Sequence, residues 1–235
     1  MSATWKKSFV DGFKAAWPIC MGYVPIGLAF GVLAQKAGLQ PWQVGMMSLF
    51  VFAGSSQFIA VSMLSSGASV AAIAVTTFVV NLRHFLMSSS LAVHLQGSSW
   101  KFLTAFAYGV TDESFAVNMA KFRSEEWGKE RALVVNQTAN AAWVLSTVIG
   151  GYGGEFIPAG SFGIDYALSA MFLALVVFQL RGRIYIMTGV TAGVLAVILA
   201  LLVPGNSYVV IASLLAATFG FWLRRYARGR KAIHA

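Results

Sequence analysis

The sequence predicts an all-α polytopic membrane protein with seven to eight transmembrane helices, at least one of them broken, and with both termini cytoplasmic. Three observations carry this prediction. First, 58% of the 235 residues are hydrophobic, only 11% are charged and the mean hydropathy is +0.72. An ordinary soluble domain carries about 25% charged residues, so this chain has too little polar surface for an aqueous exterior. Second, apolar runs of about 20 residues recur along the chain, the length that crosses the hydrocarbon at 1.5 Å per residue. Third, the basic residues fall between those runs and on alternate loops, the signature of membrane topology.

Eight apolar segments are read in order: Trp17–Gln35, Val44–Ser65, Val70–Val93, Phe102–Ala120, Ala132–Tyr152, Tyr166–Leu180, Ile184–Val203 and Tyr208–Leu223. The sixth and eighth are short, which leaves seven spans plus a re-entrant segment as the alternative. The runs lack the period-two alternation of a membrane barrel. With the N-terminus inside, the eight-span scheme places 14 of the 17 Lys and Arg on one side. These are Lys6, Lys7, Lys14, Lys121, Arg123, Lys129, Arg131, Arg181, Arg183 and the basic residues of the tail from Arg224 to Lys231. Only Lys36 and Lys101 fall on the other side, and Arg83 lies within a span.

Residues 1–235 are read as one membrane transport domain, since no linker or periodic repeat interrupts them. Within it, residues 1–16 form an interfacial amphipathic N-terminus, because Trp5, Phe9, Phe13 and Trp17 recur every four residues with lysines between. Residues 224–235 form a basic cytoplasmic tail. The net charge of +9 invites a nucleic-acid partner, but the bases are dispersed between spans rather than gathered on one polar face, so none is expected. The partner of the apolar surface is the lipid bilayer. The single Cys20 excludes an internal disulfide framework and a multi-cysteine metal site, and no cofactor is implied.

Three formal charges fall near the middle of spans: Arg83, Asp112 and Glu113. Left unpaired they would cost roughly 8–10 kcal/mol together on insertion scales, so they line a polar interior or neutralise one another. Thr77, Asn81, His84 and Ser88 share one helix face, and Arg83 lies off it. Arg83 balances only one carboxylate, which leaves the other to exchange a proton. Asn136, Asn140, Trp143 and Thr147 form a further stripe, read either as a substrate path or as interhelical glue. Gln57 follows Gly54, Ser55 and Ser56 in the second span. In the first span Gly22, Pro25, Gly27 and Gly31 predict a helix break, because proline removes a backbone donor.

These breaks form a series. Gly-Tyr-Val-Pro-Ile-Gly-Leu-Ala-Phe-Gly runs from Gly22 to Gly31, and Val-Phe-Ala-Gly-Ser-Ser-Gln-Phe from Val51 to Phe58. Asn81-Leu-Arg-His follows, and then Thr111-Asp-Glu-Ser-Phe-Ala. In this order and spacing they resemble the AzlC-type branched-chain amino-acid exporters, most strongly over residues 20–120. The resemblance implies a bacterial inner-membrane subunit that exports valine, leucine, isoleucine or other small apolar amino acids. It also implies a small AzlD-type membrane protein as partner.

A zwitterionic substrate needs donors for its carboxylate, an acceptor for its ammonium and an apolar pocket. Arg83, or an exposed helix N-terminus near Pro25, is proposed for the first. Asp112, assisted by Asn140 and Gln57, is proposed for the second, and Phe58, Phe115 and Trp143 for the third. Glu113 or His84 would carry a coupling proton, in competition with substrate at Asp112. The rival reading is an ion channel or pore subunit whose acidic pair selects cations. An enzyme is not expected: no HExxH zinc motif or nucleotide-binding loop is present.

Overall fold

A computed structural model describes residues 3–124, 127–157, 173, 177, 182–202 and 207–233. Every element among the described residues is helical. The order is α1 (Ala3–Lys36), α2 (Pro41–Val51), α3 (Gly54–Ser65), α4 (Val70–Ala92), α5 (Trp100–Tyr108), α6 (Asp112–Ser124), α7 (Lys129–Gly153), α8 (Arg183–Leu202) and α9 (Ser207–Ile233). Single 3-10 turns extend α4 over Val93–Leu95 and α7 over Gly154–Phe156. Among the described residues, four stretches are long and apolar enough to cross a membrane: Trp5–Lys36, Val70–Leu95, Lys129–Phe156 and Arg183–Leu202. The chain is therefore an all-helical membrane protein. The predicted sixth segment, Tyr166–Leu180, lies almost wholly outside the described residues.

The described chain divides into two compact units, one of residues 1–65 and 80–164 and one of residues 66–79 and 165–235. In the second unit, α8 and α9 pack together where Gly220 meets Thr188; a Cβ on Gly220 would stand 2.6 Å from Thr188 Oγ1. The buried Ala212 and Ala216 keep the same helix slim.

The first unit is built on α1 and α7, which run parallel. Gly12 of α1 lies against Arg131 and Val134, Gly27 against Ser146 and Thr147, and Gly31 against Thr147 and Gly150. A Cβ on Gly31 would stand 2.1 Å from the Thr147 carbonyl oxygen, so only glycine allows this approach. The predicted break at Gly22, Pro25, Gly27 and Gly31 is not found: α1 is continuous through Pro18 and Pro25. Gly27 and Gly31 serve close packing on α7 instead, whereas a Cβ on Gly22 would have no neighbour within 4 Å, and the prolines sit inside a continuous helix, as membrane helices commonly tolerate. The amphipathic N-terminal stretch is part of the same helix. Its Phe9, Phe13 and Trp17 rings stack along an exposed face, and Asp11 pairs with Arg131 of α7 at 3.2 Å.

The second and fourth apolar segments, each expected as one crossing, are each two short helices, α2 with α3 and α5 with α6. Along α2, Pro41 lies by Gly151, Gly45 by Val148 and Ser48 by Thr147, so this helix descends α7 antiparallel. Gly54, opening α3, lies at Trp143, and Phe58 then meets Phe30, whose neighbour Gly31 is level with Thr147–Gly151. Hence α3 turns back toward the end where α2 began. The α5/α6 pair does the same from the opposite end. The carbonyls of Ala105 and Phe106 accept from Gln137 and Asn136, and Asn140 reaches Tyr108, so α5 climbs α7. Along α6, Glu113 lies at Tyr23, but Asn118 bonds to Ala132 O and Asn136 and accepts from Trp127, so α6 descends again. Helix α4 runs from the turns at Asn81 and Arg83 down to this same end. There Leu91 and Leu95 pack with Phe106, Val110 and Ala132, and His94 stacks on Phe122.

Candidate functional site at the meeting of two hairpin tips

The two helical hairpins start from opposite ends of α7 and each turns near its middle, where a backbone group left open away from water is costly. The structure closes these turns with side chains. At the α5/α6 tip, α7 supplies three amides: Asn136 Nδ2 donates to Phe106 O at 3.0 Å, Gln137 Nε2 to Ala105 O at 2.9 Å and Asn140 Nδ2 to the Tyr108 hydroxyl at 3.2 Å. Thr111 and Ser114 cap the start of α6 reciprocally. Thr111 N–H donates to Ser114 Oγ at 2.9 Å and Ser114 N–H to Thr111 Oγ1 at 3.3 Å. At the α2/α3 tip, the Tyr108 hydroxyl donates to Leu49 O and its ring lies by Phe52. Tyr108 therefore joins one tip to the other.

The N-termini of α3 and α6 both lie at these tips, and each carries partial positive charge. Asp112 occupies the first position of α6, where a carboxylate is favoured. Arg83 of α4 reaches between the tips. Its Nη1 stands 2.8 Å from Asp112 Oδ2, and its Nη2 donates to Ser55 Oγ at 2.6 Å. Ser56 beside it donates to Asn81 Oδ1. The Arg83 and Asp112 side chains are 34% and 50% exposed, while Arg83 Nε is buried without a hydrogen-bond partner among the described residues. Glu113 is paired differently. Its Oε2 is 2.7 Å from the hydroxyl of the buried Tyr23, which also lies 2.8 Å from Thr111 Oγ1.

The residues singled out from sequence thus separate. Arg83, Asp112 and Glu113 converge. His84 is half-buried beside them but makes no hydrogen bond or ion pair among the described residues, as expected for a side chain 100° around α4 from Arg83. Gln57 and Trp143 meet each other in a closed neutral network: Trp143 Nε1 donates to Gln57 Oε1 at 2.8 Å, Gln57 Nε2 to Ser48 Oγ at 3.0 Å, and Thr147 Oγ1 to the same Ser48 oxygen at 2.8 Å. All four are buried. Phe58 and Trp143 cluster around Phe30, with ring centroids 4.9 and 6.1 Å from it. Phe115 packs elsewhere, against the Leu91–Phe106–Val110 cluster. Phe58, Phe115 and Trp143 therefore do not line one pocket. Asn140 supports the Tyr108 hydroxyl. Sequence reasoning missed Tyr23, Ser48, Ser55 and Tyr108 as members of this set. Tyr23 and Ser55 stood inside the motifs already marked, and that was their one signal. No group of three or more metal-ligating side chains occurs among the described residues.

Fold and site define an all-helical membrane protein in which two helical hairpins meet around an ion pair. The sequence model of a family described as AzlC protein matches residues 18–157, from the middle of α1 to the end of α7. The chain belongs to the AzlC family. It is 33% identical over 171 residues to the inner membrane protein YgaZ of Escherichia coli, covering 72% of this chain and 70% of that one. It is 31% identical to an uncharacterized membrane protein of Archaeoglobus fulgidus, over 91% and 94% of the two chains. It is 26% identical to the branched-chain amino acid transport protein AzlC of Bacillus subtilis, over 88% and 82%. No solved structure matches the chain.

Proposed function

We propose that this protein is the large subunit of a secondary active transporter that exports branched-chain or other small apolar amino acids across the bacterial inner membrane, coupled to protons. The Arg83–Asp112 pair between the two hairpin tips carries the reading. It is the one place among the described residues where opposite charges, two helix N-termini and partial exposure coincide at membrane depth. A substrate carboxylate would draw Arg83 and the N-terminus of α3 toward itself. Asp112, released from Arg83, would receive either the substrate ammonium or a proton. Competition between those two is the basis of exchange. Gln57, Asn140 and Trp143 act in this reading by holding the tips rather than by touching substrate.

Charge supports the sidedness. In the hairpin arrangement Lys6, Lys7, Lys14, Lys101, Lys121, Arg123, Lys129 and Arg131 all lie toward the end where α1 begins, and Lys36 lies toward the other. Lys101 moves to the basic side because α5 enters from there. The positive-inside rule then makes the N-terminus cytoplasmic, and the basic tail from Arg224 makes the C-terminus so. Both units are taken to form a single transport domain. The family name of the Bacillus subtilis relative supports the substrate class, and a small AzlD-type membrane protein is the expected partner. The test is efflux of labelled valine from proteoliposomes holding the chain with and without that partner under an imposed pH gradient. Saturable, gradient-driven efflux is expected. Absence of valine flux in both preparations, or flux that does not saturate, would contradict the proposal.

A further inference from the structure

Glu113 and His84 are the two candidates for the coupling proton, and their surroundings differ. The Glu113 carboxylate meets Tyr23 of α1 and lies within electrostatic reach of His84 of α4, while its chain neighbour Asp112 is paired with Arg83. Of these, Tyr23 alone hydrogen-bonds to it. A phenol has one hydrogen, yet Tyr23 has two oxygen partners, Glu113 Oε2 and Thr111 Oγ1. The chain continues from Thr111 Oγ1 to Ser114 Oγ at 3.5 Å and from Ser114 Oγ to Gly109 O at 3.2 Å. Tyr23, Thr111 and Ser114 are all buried, whereas Glu113 is exposed.

This row of hydroxyls has two complete hydrogen-bonding patterns. With Glu113 ionised, Tyr23 donates to the carboxylate and Thr111 donates to the phenol oxygen. With a proton added at Glu113 Oε2, that O–H donates to the phenol oxygen instead. The Tyr23 hydrogen then turns to Thr111 Oγ1, and the Thr111 hydrogen turns to Ser114 Oγ. Ser114 donates to Gly109 O in both. Only the Glu113 O–H bond is made or broken; the rest is rotation of hydroxyls already in place. Neither state leaves a donor of the buried row open, and an open buried donor is costly. The far end of the row is a backbone carbonyl in the turn of the α5/α6 hairpin.

We propose that Tyr23 is the positioning residue for a coupling proton on Glu113, and that the Tyr23–Thr111–Ser114 hydroxyl row ties the protonation of Glu113 to the α5/α6 tip. The proposal rests on the proton-coupled reading above, so its test includes a signal that needs no substrate. The infrared carbonyl stretch of protonated carboxyl groups is followed against pH in the full chain in lipid nanodiscs. A band lost in Glu113→Gln and kept in His84→Asn is expected. Tyr23→Phe keeps the ring but removes the donor to the carboxylate, so the proton affinity read from that band should rise about tenfold, because the bond to the ionised form is the stronger one. Thr111→Val should shift it in part and Thr111→Ser should restore it. A band unaffected by Glu113→Gln, or a midpoint unmoved by Tyr23→Phe in folded protein, overturns the proposal. If the infrared results hold but valine efflux ignores the pH gradient, the hydroxyl row stands and the transport reading falls.

Discussion

The α2/α3 hairpin and the α5/α6 hairpin share a plan and differ in the chemistry of their turns. Each enters beside α7, turns at mid-depth and opens its second helix there, with α5 beginning 59 residues after α2 and α6 58 residues after α3 (Trp100 against Pro41, Asp112 against Gly54). The first turn presents Gly54, Ser55, Ser56 and Gln57, which are neutral, and the Gln57 amide is buried and fully bonded to Ser48 and Trp143. The second presents Thr111, Asp112, Glu113 and Ser114, with both carboxylates exposed. The first turn offers Arg83 only a neutral hydroxyl, whereas the second sets a carboxylate at the positive end of a helix, where its charge is favoured and Arg83 reaches it. In the proposed function the first hairpin is a fixed frame and the second the charge-bearing part of the site.

The strongest way to break that assignment is to remove charge from the second hairpin. Asp112→Asn and Arg83→Ala each strip one member of a pair that is only a third to a half exposed. A loss of about 2–3 kcal/mol is expected, somewhat below that of a fully buried pair, or ~100-fold in the rate of proton-driven valine efflux. Ser55→Ala, on the neutral hairpin, should cost tenfold or less, since one neutral partner of Arg83 is lost. Equal losses for the two hairpins would erase the distinction.

Gln57→Leu sharpens it from the other side. This change leaves Trp143 Nε1 without its acceptor and removes one of the two donors to Ser48 Oγ, and should lower thermal stability by about 1–3 kcal/mol. The valine KM of the folded fraction should stay within about twofold of the parent. A large rise in KM with unchanged stability would instead make Gln57 a substrate contact. A smaller contrast lies in the turn glycines. A Cβ on Gly109 would stand 2.7 Å from Asn136 Cβ, while one on Gly54 would stand 3.1 Å from the Trp143 ring. Gly109→Ala should therefore destabilise by about 1–3 kcal/mol, and more than Gly54→Ala, in detergent melting curves.

Much of this was legible in the residues. Apolar runs located α1, α4, α7, α8 and the apolar part of α9, and the cost of burying charge pointed to Arg83, Asp112 and Glu113. The hairpins were not legible, because a run of about 20 apolar residues reads the same whether it crosses once or folds back at its middle. Gly54-Ser-Ser-Gln57 and Thr111-Asp-Glu-Ser114 did mark both turns, yet the break was assigned to Pro25. Proline is the stronger local signal, but α1 is held along its length by α7, while the two turns are held open by side chains from other helices, Asn136, Gln137 and Tyr108 among them. Such long-range partners have no local spacing. The separation of Phe115 from Phe58 and Trp143 has the same cause, since it follows from the direction of α6 after its turn.

The most direct measurement concerns which side of the membrane each hairpin enters from. Single cysteines are placed at Ser65, where α3 ends, and at Gln96, between α4 and α5, in a Cys20→Ala background, and intact cells are treated with a membrane-impermeant maleimide. With the N-terminus cytoplasmic, opposed hairpins predict that Ser65→Cys is labelled from outside and Gln96→Cys only after the cells are opened. Eight full crossings require the reverse at both positions, and that result would contradict the account.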